Sequence, residues 1–156
     1  MSAEILRRLT LVLLLVAAGA GSLFAAETFR TGQLTIETAS GGKYRFDIEL
    51  AETPAQMAQG LMFREQMADD AGMLFILPAA QSMSMWMKNT LIPLDMVFIG
   101  IDGRIVNIHQ RAVPHSLDTI SSGGPVKGVL EINGGIAARL GIRVGDRVVH
   151  EAFAKK

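Results

Sequence analysis

The residues best suited to chemistry lie in "SMSMWMKNTLIPLD", positions 82 to 95. Met83, Met85 and Met87 alternate there with Ser84, the single tryptophan Trp86, and Lys88; Asn89, Thr90 and Asp95 follow. Thioethers are soft ligands, and with an imidazole they suit Cu(I) or Ag(I). Eight of the nine methionines lie between Met57 and Met96, and His109 and His115 are the nearest histidines in sequence. A metal set of Met83, Met85, Met87 and His109 is therefore one reading, with copper as the cofactor. Strand periodicity places the three thioethers on one face, about 6.5–7 Å apart along the chain. It also turns Trp86 to the other face, so Trp86 cannot cap a metal held by them. Core packing is the competing use, because methionine fills irregular gaps well.

The opposite face carries Ser84, Trp86 and Lys88. An aromatic ring beside an ammonium and an amide orients small polar ligands in many pockets. Asp95 interrupts the apolar run "LIPLDMVFI", and Glu131 interrupts "GVLEING". A buried carboxyl must find a partner, and Lys88 and Arg64 are the available cations. Trp86, Lys88, Asn89, Thr90, Asp95, Glu131 and Arg64 thus form the candidate ligand site, either as a binding cleft or as a structural polar network. Catalysis has weaker footing. "PHSLDT" holds His115, Ser116 and Asp118, but neighbours on an extended segment point to opposite sides and make poor triad geometry. Two carboxyls could hydrolyse a glycoside only at a defined separation. No phosphate loop, H-E-x-x-H or G-x-S-x-G is present. His150 reads as a surface residue near the end of the last strand.

These groups need a scaffold, and the start of the chain says where it operates. "MSAEILRRLTLVLLLVAAGAGSLFAAE" has a basic start at Arg7 and Arg8, an apolar core, and small residues at Ala18-Gly19-Ala20. That is the layout of a signal peptide over residues 1–26, with cleavage at Ala20 or nearer Ala26. The uncharged run from Leu9 to Ala26 would also serve as an uncleaved membrane anchor. The expected location is periplasmic or secreted. The chain of 156 residues then leaves a single β-rich domain at 27–156. Lys and Arg number 15, as do Asp and Glu; setting aside Glu4, Arg7 and Arg8 leaves 13 basic against 14 acidic residues. Such a balance, with no basic stripe, argues against nucleic acid as a partner. There are no cysteines, so neither disulfides nor thiolate chemistry contribute.

Alternation and turn chemistry supply the elements. "QLTIETASGGKYRFDIEL" reads as a hairpin about Ser40-Gly41-Gly42. "TPAQMAQGL" reads as a short helix with Thr53 as N-cap, Pro54 in the first turn and Gly60 as the stop. "GMLFIL" and "MSMWMK" read as two strands, and "LDMVFIGIDGRIVNIHQ" as a hairpin turning at Asp102-Gly103. "VKGVLEI" is a further strand, "GGIAARLGI" a second short helix, and "DRVVHEAF" the closing strand. Six or seven strands and two helices without a βαβ rhythm predict a mainly β fold. A compact antiparallel sandwich or barrel fits that count.

The segments "GLMFRE", "GMLFIL", "WMKNTLIPLDMVFI", "VLEINGG" and "GIRVGD", in that order, resemble the domain of unknown function 192 family, small bacterial and archaeal proteins that are often exported. The resemblance spans about residues 45–153 and rests on Arg64, Trp86, Met87, Lys88, Asn89, Thr90, Asp95, Glu131 and Gly135. It departs at Met85, where relatives commonly carry an aromatic residue. The resemblance implies a mainly β fold, jelly-roll-like in outline, and no activity. The sequence therefore predicts an exported module for a small polar ligand beside Trp86 rather than an enzyme. A Cu(I)/Ag(I) carrier and an envelope protein-interaction module are the alternatives, and the oligomeric state stays open.

Overall fold

The computed structural model describes residues 26–154. All but the last residue of the expected signal peptide lie outside them. Among the described residues no helix is long and apolar enough to cross a membrane.

Seven strands form one sheet: β1 (Arg30–Glu37), β2 (Lys43–Ala51), β3 (Ala71–Met85), β4 (Leu94–Ile99), β5 (Ile105–Ala112), β6 (Ile120–Asn133) and β7 (Arg147–Val149). Their spatial order is β5-β4-β6-β3-β2-β1-β7. Every pair is antiparallel except β2 and β3. A parallel pair cannot be joined by a hairpin, so residues 52–70 cross over and carry the helix α1 (Pro54–Gln59). The fold is mainly β with two short helices, as the strand count predicts; the second, α2, spans Ile136–Leu140.

Turn chemistry sets the register of the first two hairpins. The Thr38 hydroxyl accepts from Gly42 N at 2.9 Å, and Gly41 takes the left-handed φ that the tight turn needs. At the β4–β5 turn, Asp102 accepts from Arg104 N, and Gly103 has φ +82°. A side chain there would also meet Val148 O, 2.7 Å from the position of a Cβ. That close approach marks the seam where the sheet curls round on itself. Arg104 bridges Arg147, Ile105 N donates to Asp146 O, and Val148 N donates to Gly103 O. The start of β5 thereby meets β7, and the sheet curls into a half-barrel whose edges are joined at this end.

Curling gives the sheet an inside and an outside, each with its own core. Leu34, Ile36, Phe46, Ile48, Leu50, Leu74, Val97, Ile99, Leu130, Ile132 and Val148 fill the inside. Phe153 joins them because β7 is shorter than the sequence suggests. After Val149 the chain turns into a 3-10 helix at Glu151–Phe153. His150 is not a simple surface residue but caps that turn: its Nδ1 accepts from Ala152 N at 3.2 Å. Outside β3, β6 and β4 lies a second core of Leu61, Met73, Phe75, Met85, Met87, Leu94, Met96, Phe98 and Val129.

"GMLFIL" and "MSMWMK" prove to be parts of one strand, not two. β3 runs 15 residues through Pro78 against an equally extended β6. Register shifts between Ile76 and Gln81, and again between Ser82 and Ser84, absorb the residue that cannot donate. Lys127 Nζ caps the carbonyls of Leu77 and Pro78 at this irregularity. β3 ends at Met85, so Trp86 begins the following loop.

Candidate functional site

Where β3 leaves the sheet, the chain turns back over the outer core. Met87 N donates to Ser116 O, Thr90 N to Met87 O, and His115 N to Thr90 O. The alternation read from the sequence persists in burial beyond the strand end. Met85 and Met87 are buried, whereas Ser84, Trp86 and Lys88 are exposed. Trp86 is 50% exposed, and the Lys88 ammonium lies over its ring, 5.2 Å from the centroid. At that distance the pair forms a weak surface cation–π contact.

The crossover supplies the facing wall. A capping box starts α1: Thr53 Oγ1 accepts from Gln56 N at 3.2 Å, and Gln56 Oε1 accepts from Thr53 N at 3.1 Å. Gly60 ends it against the Phe75 ring, which would lie 3.1 Å from a Cβ at that position. The following loop is tied to the Trp86 loop, since Phe63 N donates to Asn89 O at 2.9 Å. Phe63 and Asn89 both adopt the left-handed φ that non-glycine residues seldom take. The residues ahead of β1 are bonded to α1 as well. Glu27 N donates to Gln59 Oε1, and Gln56 Nε2 donates to Thr28 O.

Between these walls lies a cleft of about 80 Å³. Met57, Gln59, Leu61 and Met62 line one side, Met83, Met85, Trp86 and Lys88 the other, and Thr90 and Glu131 also contribute. Glu131 stands on β6 directly opposite Met73 of β3 and Met96 of β4. Only 4% of it is exposed, and no described residue hydrogen-bonds its carboxyl. Every fully occluded side-chain N or O among the described residues has a partner. The Glu131 oxygens therefore open onto the cleft. Burial without a compensating charge pushes this carboxyl up to about 8.

The structure thus brings together Trp86, Lys88, Thr90 and Glu131, and leaves three candidates elsewhere. Asp95 pairs with Ile132, one register position from Glu131, and faces the inside of the barrel. It is fully buried and accepts three backbone N–H groups: Arg111 at 2.8 Å, Gly135 at 2.9 Å and Ala137 at 2.9 Å. These bonds hold the start of α2, where Gly135 has φ +96° and a Cβ would lie 3.1 Å from the Arg111 guanidinium. Asp95 is a structural anchor. Arg64 forms a two-point ion pair with Glu49 and lines a wider groove with Thr31, Gln33, Asp47 and Met67. Asn89 does not line the cleft; its Nδ2 approaches Met62 Sδ at 3.9 Å.

The sequence-derived metal set is distributed in the same way. Met83 and Met85 line the cleft, Met87 is fully buried outside the lining, and His109 is exposed on β5 opposite Met96. Ser116 donates to Asp118 and accepts from its backbone N–H, a local turn rather than an activated nucleophile. The wall residues Met57 and Met62 belong to the methionine cluster read from the sequence but were not among its site candidates. Their signal was the capped helix ending at Gly60, but its docking on Phe75 is tertiary.

The family model described as "Uncharacterized ACR", domain of unknown function 192, matches residues 35–150. The chain belongs to this family. Within the domain of unknown function 192 family, the cleft, the Asp95 anchor and the barrel seam all fall inside the matched span. Two solved structures are similar. One, described as a "putative transcription regulator" from Sinorhizobium meliloti 1021, is 46% identical with a TM-score of 0.80. The match covers 82% of this chain and 99% of that one. The other, a protein of unknown function from Novosphingobium aromaticivorans DSM 12444, is 42% identical with a TM-score of 0.74. That match covers 81% of this chain and 94% of its own. No curated protein matches the chain.

Proposed function

We propose that this domain is an exported binding module, periplasmic or secreted, that takes a small ligand in the cleft beside Trp86. The observation that carries the reading is Glu131, a buried carboxyl with no described partner, opening into a cleft that Trp86, Lys88 and Thr90 also line. Buried polar groups in folded proteins almost always have a partner, so an unmatched carboxyl facing a cleft is one that an outside group can meet. The ligand is one that meets a carboxyl with a positive or hydrogen-donating group and lays its body against thioethers and an indole. The near balance of charge favours a small ligand over nucleic acid.

The test is a screen of small ammonium, amidinium and amide compounds by Trp86 fluorescence and backbone NMR shifts. Shifts concentrated at Met57–Met62, Met83–Lys88 and Glu131, and lost in Glu131→Gln, are the expected result. Ligands that bind wild type and Glu131→Gln alike would sink the reading.

A second reading is an interaction module for an envelope protein. Phe63, Trp86, Leu91, Val113 and Leu117 are exposed on three loops joined by backbone hydrogen bonds. Replacing Phe63 and Leu117 with serine should then abolish co-purification with that partner while leaving ligand shifts in the cleft intact.

A further inference from the structure

The sulfur atoms around Glu131 come from more of the chain than the M-x-M-x-M strand. Met57 and Met62 approach from the crossover, and Met83 and Met85 from the end of β3; all four line the cleft into which Glu131 opens. Behind them Met73 and Met96 stand directly across both neighbouring strands from Glu131, fully buried. Cross-strand partners lie about 4.5–5.5 Å apart at Cβ. Four methionines thus line the cleft of a carboxyl that no described residue bonds, and two more stand across the neighbouring strands from it.

We propose that the cleft holds a soft monovalent metal ion, Cu(I) or Ag(I), between the thioethers of Met57, Met62, Met83 and Met85 and the Glu131 carboxylate. This rests on the binding reading above and names the ligand class for the same site.

Three features of the donor set select this chemistry. Thioethers are soft and neutral, and they favour Cu(I) over the hard cations that need oxygen cages. Among the described residues, no group of three or more His, Cys, Asp or Glu side chains is placed to hold zinc, calcium or magnesium. Charge is the second feature. If Glu131 releases its proton to solvent on binding, one carboxylate with one monovalent ion leaves the buried site neutral, whereas a divalent ion would leave a net charge away from water. The third is size. A cleft of about 80 Å³ is far smaller than the roughly 300–1,000 Å³ that holds a drug-sized molecule, but ample for an ion.

The site can also adapt. Met57, Met62 and Met83 are only partly buried, and an unbranched thioether reorients over three soft torsions. Met62 Sδ has only the long Asn89 Nδ2 contact to give up. Lys88, which also lines the cleft, lies over Trp86 at the exposed rim. The second pair of sulfurs comes from the crossover rather than along β3, so the set does not rest on strand alternation alone.

The test uses the purified chain carrying [methyl-13C]methionine, titrated with Ag(I) in chloride-free buffer and with Cu(I) anaerobically against a chelating competitor. One equivalent should bind, quench Trp86, and shift the methyl signals of Met57, Met62, Met83 and Met85 while sparing Met87. The double variant Met57→Leu/Met62→Leu keeps apolar bulk at the wall and should lose at least about tenfold in affinity, equivalent to 1.4 kcal/mol. Unchanged affinity in that variant, or shifts confined to other methionines, would overturn the proposal without any variant of the core being needed. If wild type binds neither metal while amines or amides still give Glu131-dependent shifts, the metal fails and the binding module stands. If the cleft responds to neither class, both readings fall.

Discussion

Asp95 and Glu131 sit one register position apart on paired strands and point to opposite faces of the same sheet. Asp95 faces inward and accepts three backbone N–H groups; Glu131 faces outward among methionines and accepts none from the described residues. Two carboxyls that look alike in sequence thus have opposite duties. One closes a gap in the backbone hydrogen bonding, and the other has no partner among the described residues.

For Asp95, removal should be severe. Asp95→Ala leaves the N–H groups of Arg111, Gly135 and Ala137 buried without an acceptor. A loss of at least about 3 kcal/mol is expected in urea unfolding. A loss below about 1 kcal/mol would mean that water or another acceptor replaces the carboxylate.

Glu131 gives stability a pH dependence of unusual sign. Its folded value is raised to about 8 from an ordinary 4.5, so the folded state holds the proton more tightly than the unfolded chain. That contribution is fully present below about pH 4.5 and lost as pH rises through about 8, in all on the order of 5 kcal/mol. Metal-free protein should therefore unfold more easily at about pH 9 than at about pH 6, and Glu131→Gln should flatten this slope. Parallel curves for the two proteins would show that another group sets the trend.

Met87 separates packing from ligation. Being fully buried, it should cost about 2–5 kcal/mol as Met87→Ala through the cavity left behind. Met87→Leu should cost less than about 1.5 kcal/mol. Neither should alter Ag(I) affinity once the fraction folded is accounted for; a selective loss in the leucine variant would make this residue a ligand.

The seam is open to a local test. Gly103→Ala places a methyl 2.7 Å from Val148 O at a positive φ. About 1–3 kcal/mol of destabilisation follows from the strain. Exchange of the Val148 amide, which donates to Gly103 O, should accelerate more than that of amides in the β3–β6 pair. Uniform acceleration would mean that the seam opens only with the whole sheet.

Local chemistry was legible wherever neighbours in sequence are neighbours in space. The Thr53 N-cap, both glycine turns and the α2 helix follow from residue types within a few positions of one another. β3 was not legible as one strand, because Pro78 and the exposed residues through Ser82 resemble a loop until β6 pairs with them. Trp86, Lys88, Thr90 and Glu131 were found from side-chain chemistry and do share a cleft. Asp95 could not be told from Glu131, since a single register position decides which face a side chain takes. Arg64 looked like a free cation only because Glu49, fifteen residues earlier, gives no local sign of being its partner. Met57 and Met62 were not foreseen as cleft residues because the docking of a crossover helix on the sheet leaves no local sign.

The hydrogen bonds from Glu27 to Gln59 and from Gln56 to Thr28 have a mechanical side. Residues 27 and 28 lead into β1 and are clipped to the helix that walls the cleft, whereas the opposite wall is continuous with the sheet. Tension on the lead-in segment would reach α1 before it reached any strand and would draw one jaw of the cleft while the other stayed fixed.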